Sequence, residues 1–228
     1  MSRVITVNRD LSAPARAGAN EFRSAMTRRG TMVVNMLSSP GAGKTSLLAA
    51  VANHLGRRRR MAVLVGDIAT DRDAQRLAPL VPVVQLTTGG ACHLEYSLIE
   101  RGFYALPSGE LDFLFIENIG NLVCPSSHDL GEHLRVVVLS TTEGDDKPAK
   151  YPKAFRTSQA LVINKIDLLP HVPFTVDAAS SDARSIQPHL AVWPVSALHA
   201  TGIAPLCNYL DEQRSSLLDQ HAQSISAT

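Results

Sequence analysis

A glycine-rich turn between a buried strand pattern and a helix pattern constrains this chain more than any other feature. Residues 33–45 read V-V-N-M-L-S-S-P-G-A-G-K-T. Gly41 and Gly43 let the backbone turn so that successive N–H groups point at phosphate oxygens, and the helix dipole adds to that attraction. Lys44 supplies a positive charge to the β- and γ-phosphate oxygens, and the Thr45 hydroxyl is placed to hold Mg²⁺. The turn therefore predicts a nucleoside triphosphate site, whose remaining members are Ser39, Ala42 and Ser46.

A second motif indicates which base is bound. Residues 164–167 read N-K-I-D and follow the apolar run 160–163, at the strand end where ligands bind in open α/β sheets. The Asp167 carboxylate would accept hydrogen bonds from N1–H and the 2-amino group of guanine, which adenine does not offer. Taken alone, the tetrapeptide also suits a helix cap or a surface turn, but behind a P-loop it favours GTP over ATP. The other predicted base-pocket residues are Asn164, Lys165, Ser196 and Ala197.

Seven apolar runs alternate with amphipathic stretches of helical length, which predicts an α/β fold of the P-loop NTPase type. Its sheet is expected to be mostly parallel, doubly wound and flanked by helices. The predicted strands cover residues 32–37, 62–65, 83–86, 113–116, 135–139, 160–163 and 191–195. Helices are predicted over residues 11–29 and 205–220.

The predicted organisation is one GTP-binding domain with short additions. We expect a helical N-terminal extension, a domain that carries inserted metal-binding loops, and a frayed tail; these are residues 1–30, 31–220 and 221–228. With 228 residues, 45% of them hydrophobic, and a net charge of +1, the chain suits one buried core and gives no sign of a nucleic-acid-binding surface. No signal-peptide or membrane-spanning pattern is present, which predicts a cytoplasmic protein without a membrane partner.

Two acidic residues follow predicted strands and would meet the P-loop. Asp67 comes after residues 62–65 through Gly66, and Glu117 comes directly after residues 113–116. Both carboxylates are expected at the sheet edge that carries the P-loop, where with Thr45 they would hold Mg²⁺. Asp73 would orient the attacking water, so the predicted catalytic residues are Lys44, Asp67 and Asp73. Ordinary loop or capping acids are the alternative interpretation.

Thiol and imidazole groups border the same loops. Cys92 and His93 are adjacent, and Cys124 follows the segment expected to respond to the γ-phosphate. Two thiolates and one imidazole suit Zn²⁺ or Ni²⁺, with the fourth position left to water, another residue or a second subunit. From the residues alone, free cysteines and a stray histidine are the simpler interpretation, because this spacing is weaker than paired C-x-x-C motifs.

Six segments together carry a resemblance to a known family. They read N-M-L-S-S-P-G-A-G-K-T, V-G-D-I-A-T-D-R-D-A-Q-R, T-G-G-A-C-H-L, E-N-I-G-N-L-V-C-P, T-E-G-D-D-K-P-A-K-Y-P and N-K-I-D-L-L-P, within residues 31–202. In this order they resemble the HypB family of hydrogenase nickel-insertion GTPases. The resemblance implies a SIMIBI-class GTPase that dimerises with GTP and works with a HypA-type nickel chaperone on the hydrogenase large-subunit precursor. It also implies metal ligation by Cys92, His93 and Cys124.

The sequence departs from the family in a few places, and two other interpretations stay open. Residues 1–31 contain no cysteine or histidine, so a nickel-storage tract is not indicated, and Ser38, Gly90 and Leu198 replace residues that the motifs usually have. One alternative is a zinc-stabilised GTP-binding scaffold with negligible turnover. The other is a GTPase chaperone for urease or a cobalamin enzyme. The mechanism we expect is that GTP and Mg²⁺ order residues 67–73 and 117–124 and thereby set metal affinity.

Overall fold

The computed structural model describes residues 13–67 and 72–226. The strands are β1 (Met32–Ser38), β2 (Met61–Asp67), β3 (Val83–Thr87), β4 (Phe113–Gly120), β5 (Leu134–Ser140), β6 (Ala160–Asn164) and β7 (Ala191–Pro194). The helices are α1 (Ala13–Arg28), α2 (Lys44–Leu55), α3 (Arg72–Leu77), α4 (Tyr96–Ala105), α5 (Lys147–Lys150), α6 (Pro152–Arg156), α7 (Val176–Ile186) and α8 (Ile203–Ser226). Short 3₁₀ turns occupy Pro125–Ser127 and Ile166–His171.

The seven strands form one parallel sheet in the order β3-β2-β4-β1-β5-β6-β7. All seven predicted strands are confirmed, and so is the parallel, helix-flanked sheet. Every residue of β1 and β5 is buried, because helices cover both faces of the sheet. β1 lies centrally between β4 and β5, so the P-loop that follows it emerges in the middle of the carboxyl edge of the sheet.

The two terminal helices pack on this sheet. Helix α1 agrees with the predicted helix over residues 11–29, of which residues 11 and 12 lie outside the described residues. Phe22 and Met26 of α1 are buried in the core that contains Val33, so the N-terminal stretch shares that core. Helix α8 continues to Ser226, six residues past the predicted end at Gln220 and into the stretch predicted to fray. Its buried residues, such as Leu206 and Leu210, pack against α2 and the sheet and stabilise its first half. None of the helices in the described part of the chain is long and apolar enough to cross a membrane.

Candidate functional site

The turn after β1 has the geometry of a phosphate-binding loop. Gly43 is the N-cap of α2 and has a left-handed backbone with φ 91°, and Gly41 has φ 76°. A Cβ atom at Gly43 would lie 2.6 Å from Asn164 Nδ2, so the loop has no room for a side chain there. A cleft of about 540 Å³ opens above the loop. That volume is in the range of small-molecule sites.

Lys44 is held inside the loop. Its side chain is buried, and Nζ donates a hydrogen bond to Ser38 Oγ. Burial lowers the pKa of Lys44, while the nearby carboxylates of Glu117 and Asp73 act in the opposite direction. The ammonium group therefore has a carboxylate-rich environment but no direct ion pair to those acids within the described residues. Such a group is available for a phosphate.

The structure brings the predicted Mg²⁺ residues to one wall of the cleft. Thr45 Oγ1 donates a 2.7 Å hydrogen bond to Glu117 Oε1, and Asp67 ends β2 on the same cleft. Glu117 is 4% exposed, and its second oxygen, Oε2, is buried without a hydrogen-bond partner among the described residues. Burial raises the pKa of Glu117 to about 7, against the pull of Lys44. A buried carboxylate oxygen without a donor beside a hydroxyl and a second carboxylate fits a hard cation such as Mg²⁺.

Helix α3 places an acidic and a positively charged residue at the cleft. Asp73 lies in its first turn, and Arg76 Nη1 is 3.7 Å from Asp73 Oδ1. Arg76 Nη2 also donates a 3.0 Å hydrogen bond to Ser46 Oγ of the P-loop helix. The sequence prediction included Asp73 and Ser46 but missed Arg76, although a spacing of three residues puts it on the same face of a helix as Asp73. Residues 68–71, part of the predicted switch segment, lie outside the described residues.

The predicted base-reading motif is hydrogen bonded to the P-loop. Asn164 Nδ2 donates to the Ala42 carbonyl at 3.0 Å, and Asn164 Oδ1 accepts from Ala197 N at 3.1 Å. Lys165 has a left-handed backbone with φ 64°, and its Nζ donates to the Gly41 carbonyl at 2.8 Å. One amide and one ammonium therefore tie three loops together. A left-handed lysine is uncommon, so these contacts hold a strained residue in place.

Asp167 lies at a second cavity of about 480 Å³ beside the phosphate cleft. The Ser196 hydroxyl donates to Asp167 Oδ1, and this hydrogen bond lowers the pKa of the carboxyl. Asp167 is consequently an ionised, acceptor-only group near neutral pH. Leu198 lines the same cavity and is 78% exposed. An ionised acceptor thus lies at this cavity, and guanine recognition by Asp167 stays a prediction.

The turn between β5 and α5 also reaches the P-loop. Lys147 Nζ lies 3.4 Å from Ser39 Oγ and 3.7 Å from Glu143 Oε2. Both carboxylate oxygens of Glu143 are buried without a hydrogen-bond partner within the described residues. This T-E-G-D-D-K-P segment contributes to the family resemblance, but no site role was predicted for it from the sequence. Its place beside the P-loop follows from the pairing of β5 with β1.

The predicted metal-binding residues converge on one side of the sheet edge. The neighbouring Cys124 thiol raises the pKa of Cys92, and Cys92 Sγ is 3.9 Å from His93 Nδ1. Cys92 is exposed and Cys124 is half-buried. Within residues 13–67 and 72–226, no three His, Cys, Asp or Glu side chains are already arranged around a common metal position. The donor groups are together, and ligation by Cys92, His93 and Cys124 stays a prediction.

A buried polar network connects the P-loop strand to the loop that carries Cys124. Arg135 Nε donates to Glu132 Oε1 at 2.8 Å, and Arg135 Nη2 donates to the His128 carbonyl at 2.8 Å. Asn35 Nδ2 of β1 donates to the same Glu132 oxygen, and Asn118 Nδ2 of β4 donates to Asn35 Oδ1, both at 3.2 Å. Asn118 directly follows Glu117 in the sequence. The nucleotide cleft and the thiol-bearing loop therefore share one set of hydrogen bonds.

Comparison with known proteins gives a consistent result. The family model described as CobW/HypB/UreG, nucleotide-binding domain, matches residues 32–194. A hydrogenase maturation factor HypB of Azotobacter chroococcum is 41% identical over 227 residues, which is 99% of this chain and 74% of that protein. A hydrogenase/urease maturation factor HypB of Helicobacter hepaticus is 39% identical over 210 residues, 90% of this chain and 86% of that protein. The crystal structure of HypB from Helicobacter pylori in complex with nickel superposes with a TM-score of 0.85 at 37% identity, covering 90% of this chain and 96% of that one.

Proposed function

This chain belongs to the HypB hydrogenase maturation factors of the CobW/HypB/UreG nucleotide-binding family, and we propose that it is a cytoplasmic GTPase that delivers nickel to a hydrogenase precursor. Its partners would be a HypA-type nickel chaperone, the hydrogenase large-subunit precursor and, in the GTP state, a second copy of this chain. The observation that carries the proposal is the polar network from Asn118 and Asn35 through Glu132 to Arg135. It supplies a physical route between a guanine nucleotide site and a thiol-bearing loop.

Preference for GTP follows from the Asp167 pocket. The ionised carboxylate, held by Ser196, accepts hydrogen bonds that N1–H and the 2-amino group of guanine donate. Adenine would leave this acceptor without a donor, which lowers its affinity strongly. Asn164 and Lys165 position the pocket directly against the P-loop. The base and phosphate sites are consequently joined by direct hydrogen bonds.

Hydrolysis would use the groups around the phosphate cleft. The P-loop N–H groups and Lys44 stabilise negative charge on the β- and γ-phosphate oxygens. Thr45, Asp67 and Glu117 would hold Mg²⁺, which neutralises part of the phosphate charge when it is bound. Asp73 lines the cleft and would orient the attacking water, and Arg76 adds positive charge nearby. We expect slow turnover, since nothing in the sequence marks an arginine that reaches the transferred phosphate.

Nickel is the cargo, and the nucleotide state would set how tightly it is held. Cys92, His93 and Cys124 supply two thiolates and an imidazole, a donor set that suits Ni²⁺ and Zn²⁺. Glu117 and Asn118 would shift when a nucleotide and Mg²⁺ replace the Thr45–Glu117 hydrogen bond. Asn35, Glu132 and Arg135 would pass this displacement to the loop around Cys124. A displacement of about one ångström is enough to degrade a coordination geometry.

A metal titration with mass measurement tests the proposal. Nickel and zinc are titrated into the purified protein with GDP and then with a non-hydrolysable GTP analogue, and the molecular mass is recorded on the same samples. We expect metal affinity and dimer formation to change together when the analogue is added. Cys124→Ala should weaken metal binding in the GTP state and leave nucleotide affinity intact. Cys207→Ala, which removes a buried thiol in α8, should leave both metal and nucleotide affinity unchanged. Absent metal binding, or equal affinity in both states, would overturn the proposal.

Phosphate release separates this function from a scaffold without turnover. The protein should release phosphate from GTP, and Lys44→Ala should abolish that release; no release from the unchanged protein would favour the zinc-stabilised scaffold. The name of the Helicobacter hepaticus relative gives a second candidate, which is nickel delivery to urease as well as hydrogenase. Nickel transfer from the loaded protein to hydrogenase precursor and to urease apoprotein, measured side by side, decides between them.

A further inference from the structure

A second imidazole stands beside the predicted metal-binding residues. The rings of His93 and His128 are stacked, with their centroids 3.8 Å apart and their planes at 16°. Cys124 and His128 flank a single 3₁₀ turn, Pro125–Ser127, as its N-cap and C-cap. The stack places His128 next to the pair formed by Cys92 and His93. Two thiols and two imidazoles therefore lie in one cluster. The sequence predicted Cys92, His93 and Cys124 as ligands but not His128.

His128 is in the tautomer that a metal ligand needs. Its Nδ1 lies 2.9 Å from the backbone carbonyl oxygen of Cys124. A carbonyl oxygen can only accept, so Nδ1 must carry the proton and Nε2 must carry the lone pair. Metal-binding histidines commonly donate their second ring N–H to a backbone carbonyl, which orients the ring and raises its basicity. His128 has this arrangement to the carbonyl of a residue that is itself a predicted ligand.

Hydrogen bonds from Arg135 hold the backbone around His128. Arg135 Nη2 donates a 2.8 Å hydrogen bond to the His128 carbonyl, and Arg135 Nη1 donates a 3.1 Å hydrogen bond to the Ser126 carbonyl. Arg135 is buried and paired with Glu132. The turn that presents Cys124 and His128 is thus anchored to the sheet at two points. Ligand groups on an anchored turn lose less conformational entropy when they bind a metal.

We propose that His128 is a fourth protein ligand for the nickel or zinc ion, so that one chain holds the metal through Cys92, His93, Cys124 and His128. This inference rests on the metal-binding part of the proposed function. Two thiolates and two imidazoles make a four-donor set that suits Zn²⁺ and Ni²⁺ without a ligand from a second subunit. In the structure the two imidazole rings are stacked on one another and the two thiols are neighbours.

The test replaces His128 by asparagine. The Asn side-chain N–H₂ keeps a donor near the position of Nδ1 for the Cys124 carbonyl, while the Nε2 lone pair is lost. His189→Asn is the matched control, because His189 is exposed and remote in sequence from the cluster. Zn²⁺ and Ni²⁺ are titrated into the GDP-bound protein under reducing conditions, and the molecular mass of the protein is recorded on the same samples. X-ray absorption counts the imidazoles bound to each metal, and GDP affinity checks that the fold is intact.

The expected result is one metal per monomeric chain with two imidazoles per metal in the unchanged protein. His128→Asn should lower affinity by about tenfold or more and reduce the count to one imidazole. Unchanged affinity and an unchanged count in this variant would overturn the role of His128 while leaving the proposed function intact. A lower affinity with two imidazoles still bound would also overturn it, since His128 would then act only by positioning. If the unchanged protein binds no metal, both proposals fail.

Discussion

The Thr45 hydroxyl donates a 2.7 Å hydrogen bond to Glu117 Oε1, which joins the first turn of the P-loop helix to the end of β4. The second Glu117 oxygen is buried and has no hydrogen-bond partner within the described residues. Such an arrangement is unfavourable for an ionised carboxylate in the protein alone. It becomes favourable once a cation is bound, because the cation compensates the buried negative charge.

The first prediction concerns how the buried Glu117 carboxyl makes the stability of the protein depend on pH. Burial raises the pKa of Glu117 from 4.5 to about 7, so the folded state binds this proton more tightly than the unfolded state. The group's contribution to stability is therefore present below pH 4.5 and is lost as pH rises through about 7. In nucleotide-stripped protein with chelator, Glu117→Gln should be more stable than the parent at pH 8 by about 3 kcal/mol and equal to it near pH 4.5. Urea unfolding at both pH values measures the difference.

Glu117→Gln should also slow phosphate release by about a hundredfold, because it removes a charge proposed to hold Mg²⁺. Glu110→Gln, at an exposed carboxylate, is the control and should change neither property. A variant that loses stability at pH 8 would contradict the burial of an uncompensated charge at Glu117.

The second prediction compares two P-loop glycines. Both have positive φ, but a Cβ at Gly43 would lie 2.6 Å from Asn164 Nδ2, whereas a Cβ at Gly41 meets nothing within 4 Å. Gly41→Ala should destabilise by about 1–2 kcal/mol through backbone strain alone and keep nucleotide affinity within about tenfold. Gly43→Ala should abolish GDP binding, as measured by calorimetry. Equal losses in the two variants would mean that the contact with Asn164 is unimportant.

The third prediction concerns base choice at Asp167. Asp167→Asn places an N–H₂ donor where the carboxylate accepts, so GDP should lose at least about a hundredfold in affinity. Xanthosine diphosphate, which has a carbonyl in place of the 2-amino group, should bind the variant better than GDP does. Competition of both nucleotides against a fluorescent analogue measures the exchange of preference. A variant that still prefers GDP would remove Asp167 from the base pocket.

The fourth prediction tests the network beneath the thiol-bearing loop. Arg135→Lys cannot contact Glu132 and the carbonyls of Ser126 and His128 together, because an ammonium lacks the planar fork of donors. Nickel and nucleotide should each still bind, but the ratio of nickel affinities between the GTP-analogue and GDP states should fall toward one. Arg60→Lys, at an arginine that pairs with Glu110 and Asp112 instead of Glu132, is the control. An unchanged ratio would show that the coupling takes another route.

The fifth prediction concerns acid stability through His133. His133 Nδ1 accepts from Val33 N at 2.9 Å, and burial lowers the pKa of this histidine from 6.5 to about 4. Between these values the unfolded state is protonated and the folded state is not, so stability is lost as pH falls from 6.5 to 4. The loss should total about 3 kcal/mol. Because Glu117 acts with the opposite sign in part of this range, the comparison of His133→Gln with the parent belongs in the Glu117→Gln background.

Local patterns predicted most of the residues that line the nucleotide cleft, although they missed Arg76. The P-loop and the N-K-I-D segment follow short apolar runs that predict buried strands, and parallel strands bring their carboxyl ends to one edge. The positions of Lys44, Thr45 and Glu117 around one cleft follow from that rule. Helix ends were less well predicted, as α8 shows: it continues to Ser226, although its buried residues end at Leu210.

Only the tertiary structure decided which segments that lie far apart in the chain are in contact. Arg76 beside Ser46, Asn35 with Glu132, and His128 stacked on His93 join residues 30 or more positions apart. Sequence patterns report periodicity and residue type along the chain, and they determined the fold class, the phosphate loop, the base motif and three metal-binding candidates. Which side chains from different loops share one spot depends on strand order and loop conformation. Because a single residue type such as histidine carries no local signal of its neighbours, the fourth donor emerged only when the chain was folded.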